Sequence, residues 1–400
     1  MSIAAGSWDV AVIGLGAMGS ATLYHLARSG VRAIGIDRLT PPHTFGSSHG
    51  ETRITREAVG EGADYVPLVR ASHRLWRDLE AETGETLLVP CGALVMASGS
   101  APNSHHGKPD FVRRSIAVAQ AHGIAHEVLD AGEIRRRFPQ FMGLTGDEIG
   151  YFEPGGGYVR PEACITAQLR RARELGADIR TGTFVTGLAP DGAGMRIETS
   201  TGPLRAAKVV VAAGPWAGAF LGPALRPAFS VHRQVLHWFE LSAPRLFPAD
   251  SPVFIWMHGT GDEDYVYGFP PAASPGAIKV ATEQYGIASQ VDGVDRWVAP
   301  GEVRQMYERH VRGKIAGVSP RSVRTAVCLY TTSLDHGFLV DARPDMENVL
   351  LVSACSGHGF KHSAGIGEMV ARHLTASDAP LPPPFAAPRL LAPTRQDMAV

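Results

Sequence analysis

"WDVAVIGLGAMGSATLYHLARSGVRAIGID", residues 8–37, decides the fold. Val10 to Ile13 make a short, continuously apolar run, the pattern of a strand buried on both faces. Gly14, Gly16 and Gly19 follow in GxGxxG spacing, with Ala17 and Met18 between the last two. The next residues predict a helix with Leu23, Leu26 and Ala27 on one face and a stop at Gly30. A second apolar strand, Val31 to Ile36, ends at Asp37. In such a βαβ unit the first glycine permits the tight turn. The second lets the backbone approach a pyrophosphate, and the third lets helix and strand pack closely. The helix N-terminus offers free N–H groups to phosphates, and Asp37 can accept from ribose hydroxyls. An acid rather than an arginine at position 37 disfavours a 2′-phosphate, so NAD and FAD both stay open.

Similar elements recur further along. Residues 64–84 predict a helix with Leu68, Leu75 and Leu79 inward and a stop at Gly84. "AAKVVVAAGPWAG" (206–218) reads as another buried strand running into glycine. Residues 335–374 predict two strands, a glycine-rich turn and a helix with Ile366, Met369, Val370 and Leu374 inward. Strand-rich, less regular stretches lie between, notably 231–330. The expected fold is therefore α/β, with a discontinuous dinucleotide domain (1–86, 150–230, 331–390) and a second domain inserted in pieces (87–149, 231–330). At 400 residues, two domains are also the size-based default. Residues 385–400 read as a Pro-rich tail on the surface or frayed.

Charge and cysteine usage narrow the partners. The formal net charge is −1, which gives no global field for nucleic acid or an anionic membrane, so small molecules are expected. No apolar run is long enough for a membrane span, and the N-terminus lacks a signal-peptide pattern. Cys91, Cys164, Cys328 and Cys355 form no CxxC pair, against a zinc site or a disulfide scaffold. A cytoplasmic location, a monomer and no metal are expected.

Five further motifs carry a resemblance. "PPHTFGSSHGETRITR" (41–56) followed by "GEGADYVPL", "YGFP" (267–270), "AVCLYT" (326–331) and "SGHGFK" (356–361) occur in order. Together they resemble the monomeric sarcosine oxidase and N-methyltryptophan oxidase family. The resemblance implies a two-domain FAD-dependent oxidoreductase of the D-amino-acid-oxidase type, with a Rossmann-like FAD domain and an inserted mixed-sheet substrate domain. It implies oxidation of the N–CH3 bond of an amino acid, with O2 taking the electrons as hydrogen peroxide. Hydride leaves the N-methyl carbon of the neutral amine, and hydrolysis of the imine gives formaldehyde and the demethylated amino acid. No dedicated general base is evident.

The resemblance also implies roles for residues. Cys328 matches the cysteine that carries FAD through a thioether, a role suited to a thiolate nucleophile. By local sequence alone it reads as a small buried hydrophobe, as do the other three cysteines. Arg56 and Lys361 match a clamp for the substrate carboxylate, one a planar fork and the other a point charge. Arg53 and His49 match positions against the flavin. Lys279 aligns with an oxygen-activating lysine, whose fixed ammonium would stabilise developing superoxide. Tyr267 and Tyr330 match residues lining the substrate pocket, and Trp256 and Met257 fall where the family has side chains above the flavin. The cofactor set implied is Gly14, Gly16, Ala17, Met18, Gly19, Asp37, Arg38, Ser47, Ser48, Arg53, Val185, Gly214, Cys328, Gly357, His358, Gly359 and Lys361.

The sequence also departs from that pattern. Glu283 stands where sarcosine oxidases carry an active-site histidine, Cys355 replaces an aromatic, and Thr55 and Glu57 alter the "IIRHAYGEG" segment. These changes point to a different substrate side chain, or to a cyclic amine such as L-pipecolate. A dehydrogenase with another electron acceptor and a non-catalytic flavin-binding module are the remaining readings.

Overall fold

The protein is described from a computed structural model that covers residues 7–391, apart from 249, 262, 273, 377 and 378. Trp8–Ile13 is the expected first strand. It pairs in parallel with Ala33–Ile36 on one side and Leu204–Val211 on the other. Asp178–Arg180 and Met346–Ser353 extend the parallel set, while Val185–Asp191, Gly194–Thr199 and Leu339–Arg343 add antiparallel strands. Period-2 alternation explains why this centre reads as unbroken apolar sequence. Val10 and Val12 enter one core cluster while Ala11 and Ile13 enter the cluster on the opposite face. The helices Ala17–Arg28, Pro161–Glu174, Val66–Thr83 and Ser363–Thr375 contribute to the first of these cores. Val66–Thr83 stops at Gly84, whose φ of 73° is the left-handed cap expected there.

A second eight-stranded sheet has the order Val318–Ser333, Phe229–Leu241, Ala277–Ala281, Tyr265–Phe269, Val253–Met257, Ala93–Ser98, Glu148–Glu153, Glu127–Asp130. Only the pairing of Val253–Met257 with Ala93–Ser98 is parallel. The strands 148–153, 229–241 and 318–333 each run across one of the expected domain limits. Register sets three site residues: Lys279 lies opposite Trp238 and Phe269, Tyr267 opposite Ala281, and Cys328 opposite Gln234.

The "TRITR" segment is a short strand, Arg53–Thr55, paired with Gly157–Val159. The C-terminal end corrects one expectation. Phe385 is buried and packs on Tyr65 and Phe338, with ring centroids 5.4 and 5.8 Å away. Apolar area, not proline content, decides the fate of that segment; residues 392–400 lie outside the described region. Among the described residues, no helix is long and apolar enough to cross a membrane.

Candidate active site

The glycine turn shapes the first cavity. Gly14 has φ 87°, and a Cβ there would lie 2.6 Å from the Ala212 carbonyl, so no side chain fits where the two strand ends meet. A Cβ at Gly19 would lie 1.7 Å from the Gly14 carbonyl, so the third glycine serves packing. The space at the helix N-terminus is a cavity of about 250 Å3 lined by Gly14, Gly16, Asp37, Arg38, Ser47, Ser48, Val185 and Gly214. Asp37 accepts from the Leu15 and Leu39 N–H groups, at 2.8 Å each, and still faces this cavity. The Arg38 guanidinium stacks between Phe184 and Trp216, 4.7 Å from each ring, and so holds the far wall. A second space, about 80 Å3, is bordered by Ala17, Met18, Ser47, Ser48, Arg53, Gly214, Tyr330, Gly357 and Gly359. The Ser47 hydroxyl and the His49 Nε2 are buried without partners. An elongated pocket that begins at a helix N-terminus suits a dinucleotide with a planar ring beyond its pyrophosphate.

Arg53 and Tyr330 also border a third cavity, of about 60 Å3, together with Arg56, Tyr267, Lys279, Gly357, His358 and Lys361. The structure thus gathers most of the expected catalytic and clamp residues at one place. The segments converge because four strands of the second sheet, the Arg53–Thr55 strand and the 356–361 turn meet there. Arg56 is 2% and Lys361 4% exposed, so neither is a solvated surface cation. The Arg56 Nε has no partner, and Lys361 Nζ donates to the His358 carbonyl at 2.8 Å. Burial brings the Lys361 ammonium down to about 8 against the pull of Glu61. Buried cations with free hydrogen-bonding capacity are a receptor for an anion.

Lys279 is held differently. Its Nζ donates to the Gly50 and Thr52 carbonyls at 2.8 Å each and lies 3.9 Å from the Phe269 ring centroid. Glu162 fixes that loop from the other side by accepting from the Gly50 N–H at 2.6 Å. Burial, with Arg53 adding repulsion, holds the Lys279 pKa well below the ordinary lysine value. Tyr267 and Tyr330 meet hydroxyl to hydroxyl at 3.4 Å.

Cys328 is fully buried. It lies two residues before Tyr330 on one strand, hence on the same face, and shares an apolar cluster with it. Burial pushes its thiol pKa up, with Arg53 the largest opposing influence. Neither Cys328, Gly19 nor His49 lines any of the three cavities. Burial and the nearby Arg53 charge bring the His49 imidazole down to about 3.

The expectation for Trp256 needs correction. Trp256 lies in a separate core with Phe141, 6.1 Å between ring centroids, because strand parity turns it away and points Ile255 into the cavity. Met257 shares the face of Ile255 and packs with it in one apolar cluster, but it lines none of the three cavities.

The sequence reading missed a buried ionic chain at the cavity's end. His106 Nδ1 lies 3.0 Å from Glu61 Oε1, and its Nε2 lies 3.0 Å from Glu283 Oε2. Tyr285 donates its hydroxyl to Glu283 at 2.6 Å. Burial opposes charge on His106, yet Glu283 and Glu61 hold its pKa up at about 9. Both carboxylates stay ionised: His106 keeps Glu283 low despite its burial, and Lys361, His358 and His106 do so for Glu61. Glu61, His106 and His358 have metal-ligand spacing, as do His105, His106 and Glu283, but an imidazolium that donates from both nitrogens ligates no cation. His106 sits at a hairpin tip, with φ 51° followed by 68° at Gly107, and Ser104–His105 pairs with Lys108–Pro109. A non-glycine residue in that conformation costs about 1 kcal/mol, a strain typical of functional positions. The "HHGKPD" stretch held the only local signal, a turn.

Comparison with known proteins places this arrangement. Residues 9–373 match the family described as FAD dependent oxidoreductase. The chain is 34% identical over 374 residues to monomeric sarcosine oxidase of Streptomyces avermitilis, covering 91% of this chain and 93% of that protein. It is 34% identical over 384 residues to N-methyl-L-tryptophan oxidase of Yersinia pestis, covering 94% and 96%. The open form of NikD, an amino acid oxidase essential for nikkomycin biosynthesis, superposes with a TM-score of 0.82 at 25% identity, covering 97% of this chain and 98% of that one. Glycine oxidase from Geobacillus kaustophilus shares the fold at 20% identity, with a TM-score of 0.75. The glycine turn, the Asp37 position and three cavities that share lining residues fit FAD, and the chain belongs to the FAD dependent oxidoreductase family.

Proposed function

We propose that this protein oxidises the N-methyl group of a compact secondary amino acid. One molecule each of amine, O2 and water gives the demethylated amino acid, formaldehyde and hydrogen peroxide. The observation that carries the reading is the pair Arg56 and Lys361, both buried in a cavity that shares Arg53, Tyr330 and Gly357 with the space beside the glycine turn. When bound, FAD supplies the two-electron acceptor and passes the electrons to O2. Arg56 and Lys361 hold the carboxylate, which fixes the amine end toward Tyr267 and Tyr330. Lys279, tied to the Gly50 and Thr52 carbonyls, is proposed to place its amino group beside the loop 50–53 for the oxygen step. Glu61 and Glu283 are each tied to His106 through a carboxylate oxygen and are assigned no role as bases, and the amine is taken as losing its proton on entry. A cavity of about 60 Å3 favours a small side chain over an indole.

Cys328 is proposed as the covalent anchor of FAD, supported by its place on the Tyr330 face and by Arg53 opposing its raised pKa. The two eight-stranded sheets are proposed as the cores of a cofactor and a substrate domain. The test is anaerobic mixing with sarcosine, N-methylalanine, N-methyltryptophan and L-pipecolate. Fastest bleaching of the flavin is expected with the smallest N-methyl amino acid; no bleaching by any of the four ends the reading. Acid precipitation is expected to keep the yellow colour in the pellet, and Cys328→Ser to release it into the supernatant.

A further inference from the structure

Arg56 and Lys361 have a competitor for the substrate. Glu61 Oε2 lies 3.9 Å from Arg56 Nη2, is buried and has no hydrogen-bond partner. A small rotation would close a guanidinium–carboxylate pair, the geometry that arginine satisfies best. Glu61 is also the main attractive charge for Lys361. With Glu61 collapsed onto both cations, an incoming carboxylate would find them neutralised.

The rotation is blocked from the other side. Glu61 Oε1 is tied to His106 Nδ1 at 3.0 Å, and His106 is itself fixed through Nε2 to Glu283. Both imidazole nitrogens face carboxylate oxygens, and only the doubly protonated ring satisfies both. Glu283 is anchored in turn by Tyr285. Gly357 seals the arrangement: a Cβ there would sit 2.8 Å from Glu283 Oε1, 2.9 Å from His106 Nε2 and 2.9 Å from Tyr285 Oη. The hairpin tip that presents His106 is held by its own two-residue turn.

We propose that His106 is a positioning residue that draws the Glu61 carboxylate away from Arg56 and Lys361 and so keeps both cations available to the substrate's carboxylate. This rests on the function proposed above. Glu283 then serves to hold His106 in place rather than to touch the amine.

The test uses the flavin-loaded enzyme and acetate as the minimal carboxylate, with binding read from the flavin spectrum and reduction followed anaerobically with sarcosine. His106→Asn is expected to weaken acetate binding and raise the apparent sarcosine dissociation constant at least tenfold, with the limiting reduction rate within about threefold of the parent. Adding Glu61→Gln to His106→Asn is expected to restore most of the lost affinity, because the competing charge is gone. His106→Gln, which keeps one donor for Glu61, is expected to fall between parent and His106→Asn. Unchanged acetate affinity in His106→Asn overturns the proposal. So does a double variant that stays as weak as His106→Asn, since a merely structural role would not be rescued by Glu61→Gln. If the parent neither binds acetate nor is reduced by any N-methyl amino acid, the proposed function falls and takes this inference with it. Failure confined to the variants takes the inference alone.

Discussion

The glycine turn at 14–19 and the clamp end of the third cavity hold ligands by opposite means. At the turn, backbone does the shaping: a close approach to Ala212, a left-handed Gly14, and an Asp37 whose oxygens accept from two N–H groups. At the clamp, side chains do it, and several are left incomplete. Arg56 Nε, Glu61 Oε2, Thr52 Oγ1 and His358 Nδ1 are all buried without partners. Buried polar atoms without partners are costly, and these four gather round one cavity, where a bound molecule would supply partners. A backbone-built site tolerates no added atom, whereas a side-chain-built site tolerates exchange but at the expense of affinity.

The comparison breaks most severely at Gly19. Gly19→Val would force a side chain into the Gly14 carbonyl, and we expect loss of about 3 kcal/mol or more together with loss of FAD. The ratio of flavin to protein absorbance after gel filtration checks it. Normal FAD content would mean that the turn is as adaptable as the clamp. Next comes Lys279→Met, which leaves the Gly50 and Thr52 carbonyls unpaired but keeps the volume. Reoxidation by O2 is expected to fall between a hundred- and a thousandfold while anaerobic reduction persists. Unchanged reoxidation would favour a dehydrogenase using another acceptor. Arg56→Met is expected to lower the apparent second-order rate of flavin reduction on the order of a hundredfold, with FAD retention intact.

How far each region could be read from sequence follows the same division. The βαβ unit was legible because its determinants are contiguous and follow the periods of strand and helix, so Gly14, Gly16, Gly19 and Asp37 could be named with their roles. The clamp became legible only where its residues fell within motifs, as Arg56, Lys361 and Tyr330 do; Lys279 lies outside them and is reached only by alignment beyond "YGFP". His106 escaped because its partners lie 45 and 177 positions away, and nothing local says that a His–Gly turn will land between two carboxylates. Trp256 was misplaced by one residue of strand parity, which a motif does not encode but a sheet register does. Three of the expected domain limits fall inside strands for a related reason: Val318–Ser333 stays paired with Phe229–Leu241 from end to end, and no local residue marks a boundary within it.

The smallest expected effect, a roughly tenfold decline with pH, sharpens the comparison most, because the clamp carries Lys361 and His106, with pKa values of about 8 and about 9. Burial lowers Lys361 from 10.5 to about 8, so its cation is lost as pH rises through that value. His106 is raised from 6.5 to about 9, so the restraint on Glu61 is lost higher up. Acetate keeps its charge throughout, so affinity should decline in two stages, the first shifted somewhat above pH 8 by the bound anion. Stability responds differently. The His106 contribution is complete below pH 6.5 and disappears as pH rises through about 9. Lys361 binds fewer protons folded than unfolded between about 8 and 10.5, so its contribution grows with pH in that window. Stability should therefore fall from pH 6.5 to 8, level from about 8 to 9 as the two oppose, and rise above 9 where only Lys361 still contributes, while affinity keeps falling. Lys361→Met should remove the first stage of the affinity decline and leave the second. Denaturation midpoints and acetate titrations at half-unit steps from pH 6 to 10 measure both curves. Parallel curves would mean that the grip on the anion and the stability of the fold depend on the same protons, and the clamp would then be no more separable from its scaffold than the glycine turn is.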